Sequence, residues 1–142
     1  MNTLLIVLSS TAFLVFVTRF VIGKRRTREL DRDFSLELSC TRDQALLAAV
    51  AAARGVLWEV RLTDNGVRTR HLKSRNVIHV SISAVPGRVG NTCAKVWTRY
   101  TWADAVVILH PSSFTDTRRK RDRIVRALRV YETRRPRNAP IH

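Results

Sequence analysis

Residues 56–85 read VLWEVRLTDNGVRTRHLKSRNVIHVSISAV, and this stretch decides the fold class. Near both of its ends apolar side chains recur at every second position, which is the period of a half-buried β-strand. Asp64-Asn65-Gly66 is a strong hairpin-turn signal, and Ser74-Arg75-Asn76 turns the chain again. The stretch therefore predicts three antiparallel strands. The residues predicted to face the core are Val56, Trp58, Val60 and Leu62 in the first strand and Ile78, Val80, Ile82 and Ala84 in the third.

Two more strands are predicted after a loop that Pro86-Gly87 and Gly90-Asn91 delimit. Cys93–Trp102 alternates in the same way, and Ala105–Leu109 is a short apolar run that fits a last buried strand. The core-facing residues predicted for the first of these two strands are Ala94, Val96, Thr98, Tyr100 and Trp102.

On the N-terminal side of the opening stretch the sequence predicts a strand and then a helix. Residues 34–38 alternate apolar and polar side chains, as a strand does. Thr41 and Gln44 form a capping-box pattern, in which each side chain bonds the other residue's backbone. An alanine-rich run follows, and Gly55 fits the position after a helix end. We predict a helix over residues 42–54.

The C-terminal segment predicts an amphipathic helix. Its apolar residues have the spacing of one helical stripe and are Ile124, Ala127, Leu128 and Tyr131. Ser113 or Thr115 is the expected N-cap, and Pro136 is expected to end the helix before a disordered tail at residues 136–142. The basic residues on the opposite side of this helix are Arg118, Arg119, Arg123, Arg126 and Arg129.

These elements follow the order β-α-β-β-β-β-β-α in a domain of residues 34–135. The predicted fold class is α+β, a mainly antiparallel sheet packed by two helices, preceded by a single N-terminal transmembrane helix. In element order the chain is similar to the TATA-binding-protein-like and helix-grip architectures. The similarity is one of topology and implies no site residues.

Residues 3–22, TLLIVLSSTAFLVFVTRFVI, predict that transmembrane helix within a segment of residues 1–23. Twenty residues at about 1.5 Å each cover a hydrocarbon layer of about 30 Å. Arg19 lies close enough to the end for its long stem to reach the headgroups. A cleaved signal peptide is the alternative. The run argues against it, because no basic residue precedes the run and no A-x-A-like cleavage site follows it.

Residues 24–33, KRRTRELDRD, form a basic juxtamembrane segment, either a short linker or an extension of the membrane helix. Positively charged flanks stay on the cytoplasmic side of a membrane. We therefore expect a single-pass protein of the cell membrane, with its N-terminus outside and its domain in the cytoplasm. A reducing cytosol would keep Cys40 and Cys93 as free thiols.

The net charge of +15 is concentrated in two places. Residues 116–142 hold ten basic and three acidic side chains, and a basic cluster follows the membrane segment. Two interpretations stand: a solvated arginine-rich face in a protein from a GC-rich genome, or attraction to an anionic surface. Lipid headgroups are the nearest anions for a tethered domain, and nucleic acid would use the same charges. The residues predicted to bind such a surface are Lys24, Arg25, Arg26 and Arg28, with Arg118, Arg119, Arg123, Arg126 and Arg129.

Other candidate sites are weaker. Trp97 falls with Lys95 and Arg99 on the strand face opposite the core, so it is a candidate exposed aromatic for base stacking. Asp104 fits a turn residue better than a catalytic carboxylate. The histidines on or after separate strands have no spacing that requires them to converge on a metal ion, and they are His71, His79 and His110. We expect no catalytic residue, no cofactor and no metal.

The sequence therefore leads to three functional hypotheses. The first is a single-span membrane protein whose basic cytosolic domain is a non-enzymatic accessory or interaction subunit, with a membrane protein as its partner. The second is a membrane-tethered nucleic-acid-binding domain, which salt-dependent binding would reveal. The third is a small-ligand-binding domain with a pocket between sheet and helices, which a sizeable apolar cavity would reveal.

Overall fold

The computed structural model describes residues 2–100 and 111–132 and contains eight elements in that part of the chain. In chain order they are α1 (Asn2–Leu30), β1 (Phe34–Leu38), α2 (Arg42–Ala53), β2 (Trp58–Thr63), β3 (Gly66–His71), β4 (Val77–Ala84), β5 (Thr92–Arg99) and α3 (Pro111–Arg129). Several sequence predictions fall outside the described residues: the strand at Ala105–Leu109, the positions of Trp102, Asp104 and His110, and the tail at 136–142.

The five strands form one sheet in the order β1-β5-β4-β3-β2, and every neighbouring pair is antiparallel. The α+β class with an antiparallel sheet is thus confirmed. Helices α2 and α3 cover one face of the sheet. The opposite face, which we call the open face, carries the alternate and mostly polar residues of each strand.

The predicted hairpin turn joins β2 to β3 through Asp64 and Asn65, with Thr63 opposite Gly66. Gly66 cannot be replaced freely, because a Cβ at this position would overlap the carbonyl oxygen of Val80 on β4. Its positive φ of 158° is also rare for residues with side chains. The glycine thus serves the turn and the close approach of the neighbouring strand.

The core lies between the sheet and the two helices. Helix α2 begins with the predicted capping box of Thr41 and Gln44. Small side chains let α2 lie close to the sheet, and its buried residues are Ala45, Ala49, Ala52 and Ala53. From α3, Ile124 and Leu128 fill the space beside α2 and are fully buried.

The strand patterns hold at the centre of the sheet and fail at its edge. Within β4 and β5 the predicted core faces are buried, except that Ala84 is exposed where β4 ends. Tyr100, also predicted to face the core, lies just past the end of β5 and is half-buried. Val56, predicted to face the core, is 97% exposed because β2 begins only at Trp58. Leu62 is also exposed, on an edge strand that has a neighbour on one side only. Trp58 is half-buried and packs against the core.

Helix α3 begins at Pro111, so the N-caps predicted at Ser113 and Thr115 are wrong. Proline suits the first turn of a helix, where its missing N–H is not needed. The apolar stripe is otherwise as predicted, with Ala127 and Tyr131 half-buried beside the fully buried residues.

Helix α1 has 29 residues, about 44 Å at 1.5 Å per residue. It continues through Leu30, so residues 24–30 extend the helix and are not a separate linker. By length and composition its apolar part is sufficient to cross a membrane. The large apolar side chains from Ile6 to Ile22 are exposed, with Phe13 at 69%.

Candidate anion-binding site

Arg121 joins α1 to the domain. This residue is 3% exposed, and its Nη1 donates hydrogen bonds to the carbonyl oxygens of Glu29 at 2.7 Å and Leu30 at 3.4 Å. The last carbonyls of a helix have no acceptor role inside it, so Arg121 satisfies two of them in α1. Its guanidinium also lies 5.0 Å from the ring centroid of Phe34 and forms an ion pair with Asp122 at 3.1 Å.

Further contacts fix the direction in which α1 leaves the domain. Arg118 Nη2 lies 2.9 Å from Glu29 Oε1, and the Arg26 guanidinium lies 5.8 Å from the ring centroid of Phe114. Residues 26, 29 and 30 of α1 thus meet residues 114, 118 and 121 of α3 in turn. The two helices therefore run parallel side by side here, and α1 leaves past the N-terminus of α3. We call this part of the domain the junction end.

The loops at residues 54–57 and 72–76 lie at the junction end too. Lys120 Nζ donates to the carbonyl oxygen of Arg54 at 2.8 Å, and Asn76 Nδ2 donates to Thr117 Oγ1 at 3.0 Å. Both contacts are made by the same turn of α3 that holds α1. Trp58 and His71, which follow and precede these loops, are paired across β2 and β3.

The five predicted α3 arginines are all exposed, and they divide into two groups. Arg118 is paired with Glu29 and, at 3.7 Å, with Asp122, and Arg129 lies 3.9 Å from Glu132. Within residues 2–100 and 111–132 the other three form no ion pair with a carboxylate, and they are Arg119, Arg123 and Arg126.

The predicted juxtamembrane cations Lys24, Arg25, Arg26 and Arg28 are exposed on the last two turns of α1. Lys24 Nζ lies 5.4 Å from the ring centroid of Phe20, and the Arg26 guanidinium lies 5.8 Å from that of Phe114. Whether they bind an anionic surface stays a prediction. Their place on a continuous helix puts them between the apolar part of α1 and the junction end.

A cleft of about 350 Å³ opens at the junction end, between α3 and the loop before β2. Its α3 side carries cationic side chains, and its other side is mainly apolar. The residues that line it are Gly55, Val56, Leu57, Trp58, His71, Asp116, Arg119, Lys120 and Arg123. Three cations thus face one carboxylate among the described lining residues.

Lys120 lies at the centre of this cationic side. Its ammonium lies 5.6 Å from the ring centroid of Trp58, in addition to its hydrogen bond with the Arg54 carbonyl. Burial lowers the pKa of Lys120, and the nearby Arg123 lowers it further. Both causes disfavour the charged form of the ammonium.

His71 forms part of the wall beside Trp58, with its ring edge-on at a centroid distance of 4.9 Å. The Ser74 backbone N–H donates to His71 Nδ1 at 3.1 Å, so the neutral ring carries its proton on Nε2. That buried Nε2 finds no acceptor among the described residues. Burial lowers the pKa of His71 more than the charge of Asp116 raises it, and Lys73 lowers it as well.

The open face carries a second group of aromatic and basic side chains. Trp97 and His79 stack with their ring centroids 5.1 Å apart and their planes 9° apart. Arg68 and Arg99 are exposed beside them, and both reinforce the effect of burial in lowering the pKa of His79. Trp97, half-buried, therefore lies on the face that the sequence predicted, between basic residues.

The structure does not bring the described histidines together. His71 lies on the helix-covered face and His79 on the open face, so one metal ion could not bind both. No group of metal-ligating side chains occurs in the part of the chain that the structure describes. Cys40 is buried beside Thr92, whereas Cys93 is half-buried on the open face.

Sequence reasoning missed Arg121 and the cleft. The signal for Arg121 was present, because it precedes Ile124 and Leu128 by three and seven positions and so lies on the apolar stripe. The cleft had no such signal. It forms where packing brings residues 55–58, 71 and 116–123 together.

Comparisons with protein-family models, curated proteins and solved structures gave no match for this chain. The site is therefore interpreted from its own geometry.

Proposed function

We propose that this chain is a single-span membrane protein whose α+β domain is a non-enzymatic accessory or interaction subunit at the cytosolic face of the cell membrane. The observation that carries the proposal is the continuity of α1. The helix passes from its apolar part into the domain without a break, and Arg121 holds its last turn.

The apolar part of α1 is exposed, which supports a bilayer as its environment. Large apolar side chains along it have high exposed fractions, for example 65% for Phe16. Removing apolar surface from water is worth about 25 cal/mol per Å², so a lipid environment is strongly favoured for such a helix. A cleaved signal peptide fits less well, because cleavage after the apolar run would cut inside a continuous helix.

The cationic side chains after the span support a cytosolic domain by the positive-inside rule. A helix that is continuous up to the junction end would also hold the domain at a fixed height and angle beside the bilayer. Such a placement suits docking on another membrane protein, which is the kind of partner we propose.

The test uses the full chain with a C-terminal tag. We expect it to remain in the membrane fraction after carbonate washing, at the mass of the uncleaved chain. The tag should be accessible to protease only after the membrane is opened. A variant without residues 2–22 is the matched control and should be released. Release of the full chain would contradict the anchor, and a tag digested from outside intact cells would contradict the orientation.

Nucleic-acid binding is the second candidate, favoured by the Trp97–His79 stack among basic residues on the open face. Base stacking on an aromatic side chain is worth about 1–3 kcal/mol per base. We expect the full chain in neutral detergent to bind single-stranded DNA or RNA more weakly as salt rises. Trp97→Ala should weaken binding and Trp97→Phe should retain most of it. Equal affinities of the two variants would argue against stacking.

A further inference from the structure

If α1 spans the bilayer and Ile22 lies at the edge of the hydrocarbon, the cleft at the junction end lies just outside the headgroup layer. Leu30 is eight residues beyond Ile22, about 12 Å along the helix. A headgroup layer is about 5–8 Å thick on each side of the hydrocarbon. Lys120 and Arg121 are neighbours on α3, so the cleft lies level with Leu30 and its loops extend towards the membrane.

Large apolar side chains at the mouth of the cleft are exposed to solvent. Val56 is 97% exposed and Leu57 is 38% exposed, on a loop between α2 and β2. Leu72, at 58%, lies next to them, because its N–H donates to the Leu57 carbonyl at 3.0 Å. Lys73 and Arg75 on the same loop are exposed. Exposed apolar tips among basic residues suit the boundary between headgroups and acyl chains.

The inner side of the cleft offers donors for a phosphate group. Arg119 and Arg123 are one helical turn apart and form no ion pair within the described residues. Guanidinium groups bind phosphate through paired N–H donors, and Lys120 adds a cation between them. The aromatic wall of Trp58 and the unpaired Nε2–H of His71 add to these donors, and Asp116 is the one carboxylate among the described lining residues.

We propose that this cleft binds the phosphate group of an anionic phospholipid, with Arg119, Lys120 and Arg123 contacting the phosphate and Val56 and Leu57 contacting the lipid. The assignment rests on the proposed function, because α1 must span the bilayer for the cleft to lie beside it. A soluble phosphate monoester presents the same chemistry without the apolar part, so the test must separate the two sources.

Photocrosslinking tests the lipid as the source. The full chain is placed in nanodiscs of phosphatidylcholine with or without phosphatidylglycerol, with Val56 replaced by a photoreactive phenylalanine. The control carries the same group at Val89, which is fully exposed in the loop between β4 and β5, at the opposite end of the sheet. We expect lipid adducts at position 56, more of them with phosphatidylglycerol, and none at position 89.

A second pair of variants tests the cations. Arg119→Gln with Arg123→Gln removes two charges from the cleft, and Arg68→Gln with Arg70→Gln removes two from the open face. Each basic residue near an anionic surface contributes about a factor of five. The cleft variant should therefore bind phosphatidylglycerol about 30-fold more weakly, whereas the open-face variant should stay within a fewfold of the parent chain.

A third experiment tests phosphate binding in the cleft independently of membrane anchoring by α1. The full chain in neutral detergent is titrated with glycerol 3-phosphate and followed by NMR. Perturbation of Arg119 and Trp58 supports the phosphate site even if carbonate washing has released the chain. Perturbation without lipid adducts would overturn the lipid as the source and leave a soluble phosphate. Neither perturbation nor adducts, or equal losses in both double variants, would overturn the proposal.

Discussion

Arg121 and Glu29 lie 92 positions apart in the chain, and Arg121 Nη1 donates a 2.7 Å hydrogen bond to the carbonyl oxygen of Glu29. The contact joins the C-terminus of α1 to the middle of α3. A cation at a helix C-terminus also interacts favourably with the helix dipole. One buried side chain thus couples the N-terminal helix to the packed domain.

Replacing Arg121 with alanine should loosen this junction. The Glu29 and Leu30 carbonyls would lose their donor, and an unsatisfied buried acceptor costs about 1–3 kcal/mol. We expect a lower Tm for the full chain in neutral detergent and faster hydrogen exchange over residues 26–32. Arg126→Ala is the control, because Arg126 is exposed on the same helix and should change neither quantity. Unchanged exchange at residues 26–32 would contradict the capping role.

Ile82 and Val56 provide a test of the strand register. Ile82 is 1% exposed and Val56 is 97% exposed, although both lie on predicted apolar faces. Ile82→Ala should lower the free energy of unfolding by about 2–5 kcal/mol, through lost burial and the cavity left behind. Val56→Ala should change it by less than about 0.5 kcal/mol. Denaturant titration of the two variants measures both, and similar losses would refute the register described here.

The contrast between Ile82 and Val56 shows where an alternating sequence pattern predicts burial correctly and where it does not. The alternation of apolar and polar residues correctly predicted which side chains of β4 and β5 are buried. Both are inner strands, and their neighbours on both sides fix which face is covered. The alternation failed for Val56 and Leu62 because it does not say where β2 begins or that β2 lies at the edge of the sheet. An edge strand can carry an apolar side chain beyond the layer that would bury it.

The candidate site was predictable only in part. The exposed arginines of α3 followed from its 3.6-residue period, and Trp97 followed from alternation in β5. Which arginines are paired did not, because Glu29 reaches Arg118 only after α1 packs beside α3. The cleft depends on the same packing, which local patterns do not contain.

Gly66→Ala should be destabilising well beyond the usual glycine-to-alanine change. A Cβ at Gly66 would overlap the backbone of Val80, so the β3–β4 pairing must shift. Gly87→Ala is the control, since Gly87 has a positive φ of 78° but open space around it. The control should lose about 1–2 kcal/mol for the left-handed backbone alone. The two Tm values decide, and an equal or smaller loss for Gly66→Ala would contradict the close approach of β4.

The pH dependence of stability should reflect the two described histidines. Burial lowers the pKa of His71, and burial together with Arg68 and Arg99 lowers the pKa of His79, relative to 6.5 for an unperturbed ring. The unfolded chain therefore binds more protons than the folded chain as pH falls below about 6.5. Stability contributed by the neutral rings is complete above that pH and is lost as pH falls towards their folded pKa values.

We therefore expect the Tm of the full chain in neutral detergent to fall between pH 7.5 and pH 5. The double variant His71→Asn with His79→Gln should lose part of this dependence, because neither replacement titrates. Asparagine at position 71 can still accept the Ser74 N–H through Oδ1, which limits the structural change. Asp116 partly offsets the lowering of the His71 pKa, whereas both arginines near His79 add to the lowering there. His79→Gln alone should therefore remove a measurable share of the pH dependence of Tm. If the double variant and the parent chain lost the same Tm over this interval, protonation of these two rings would not limit the stability of the fold.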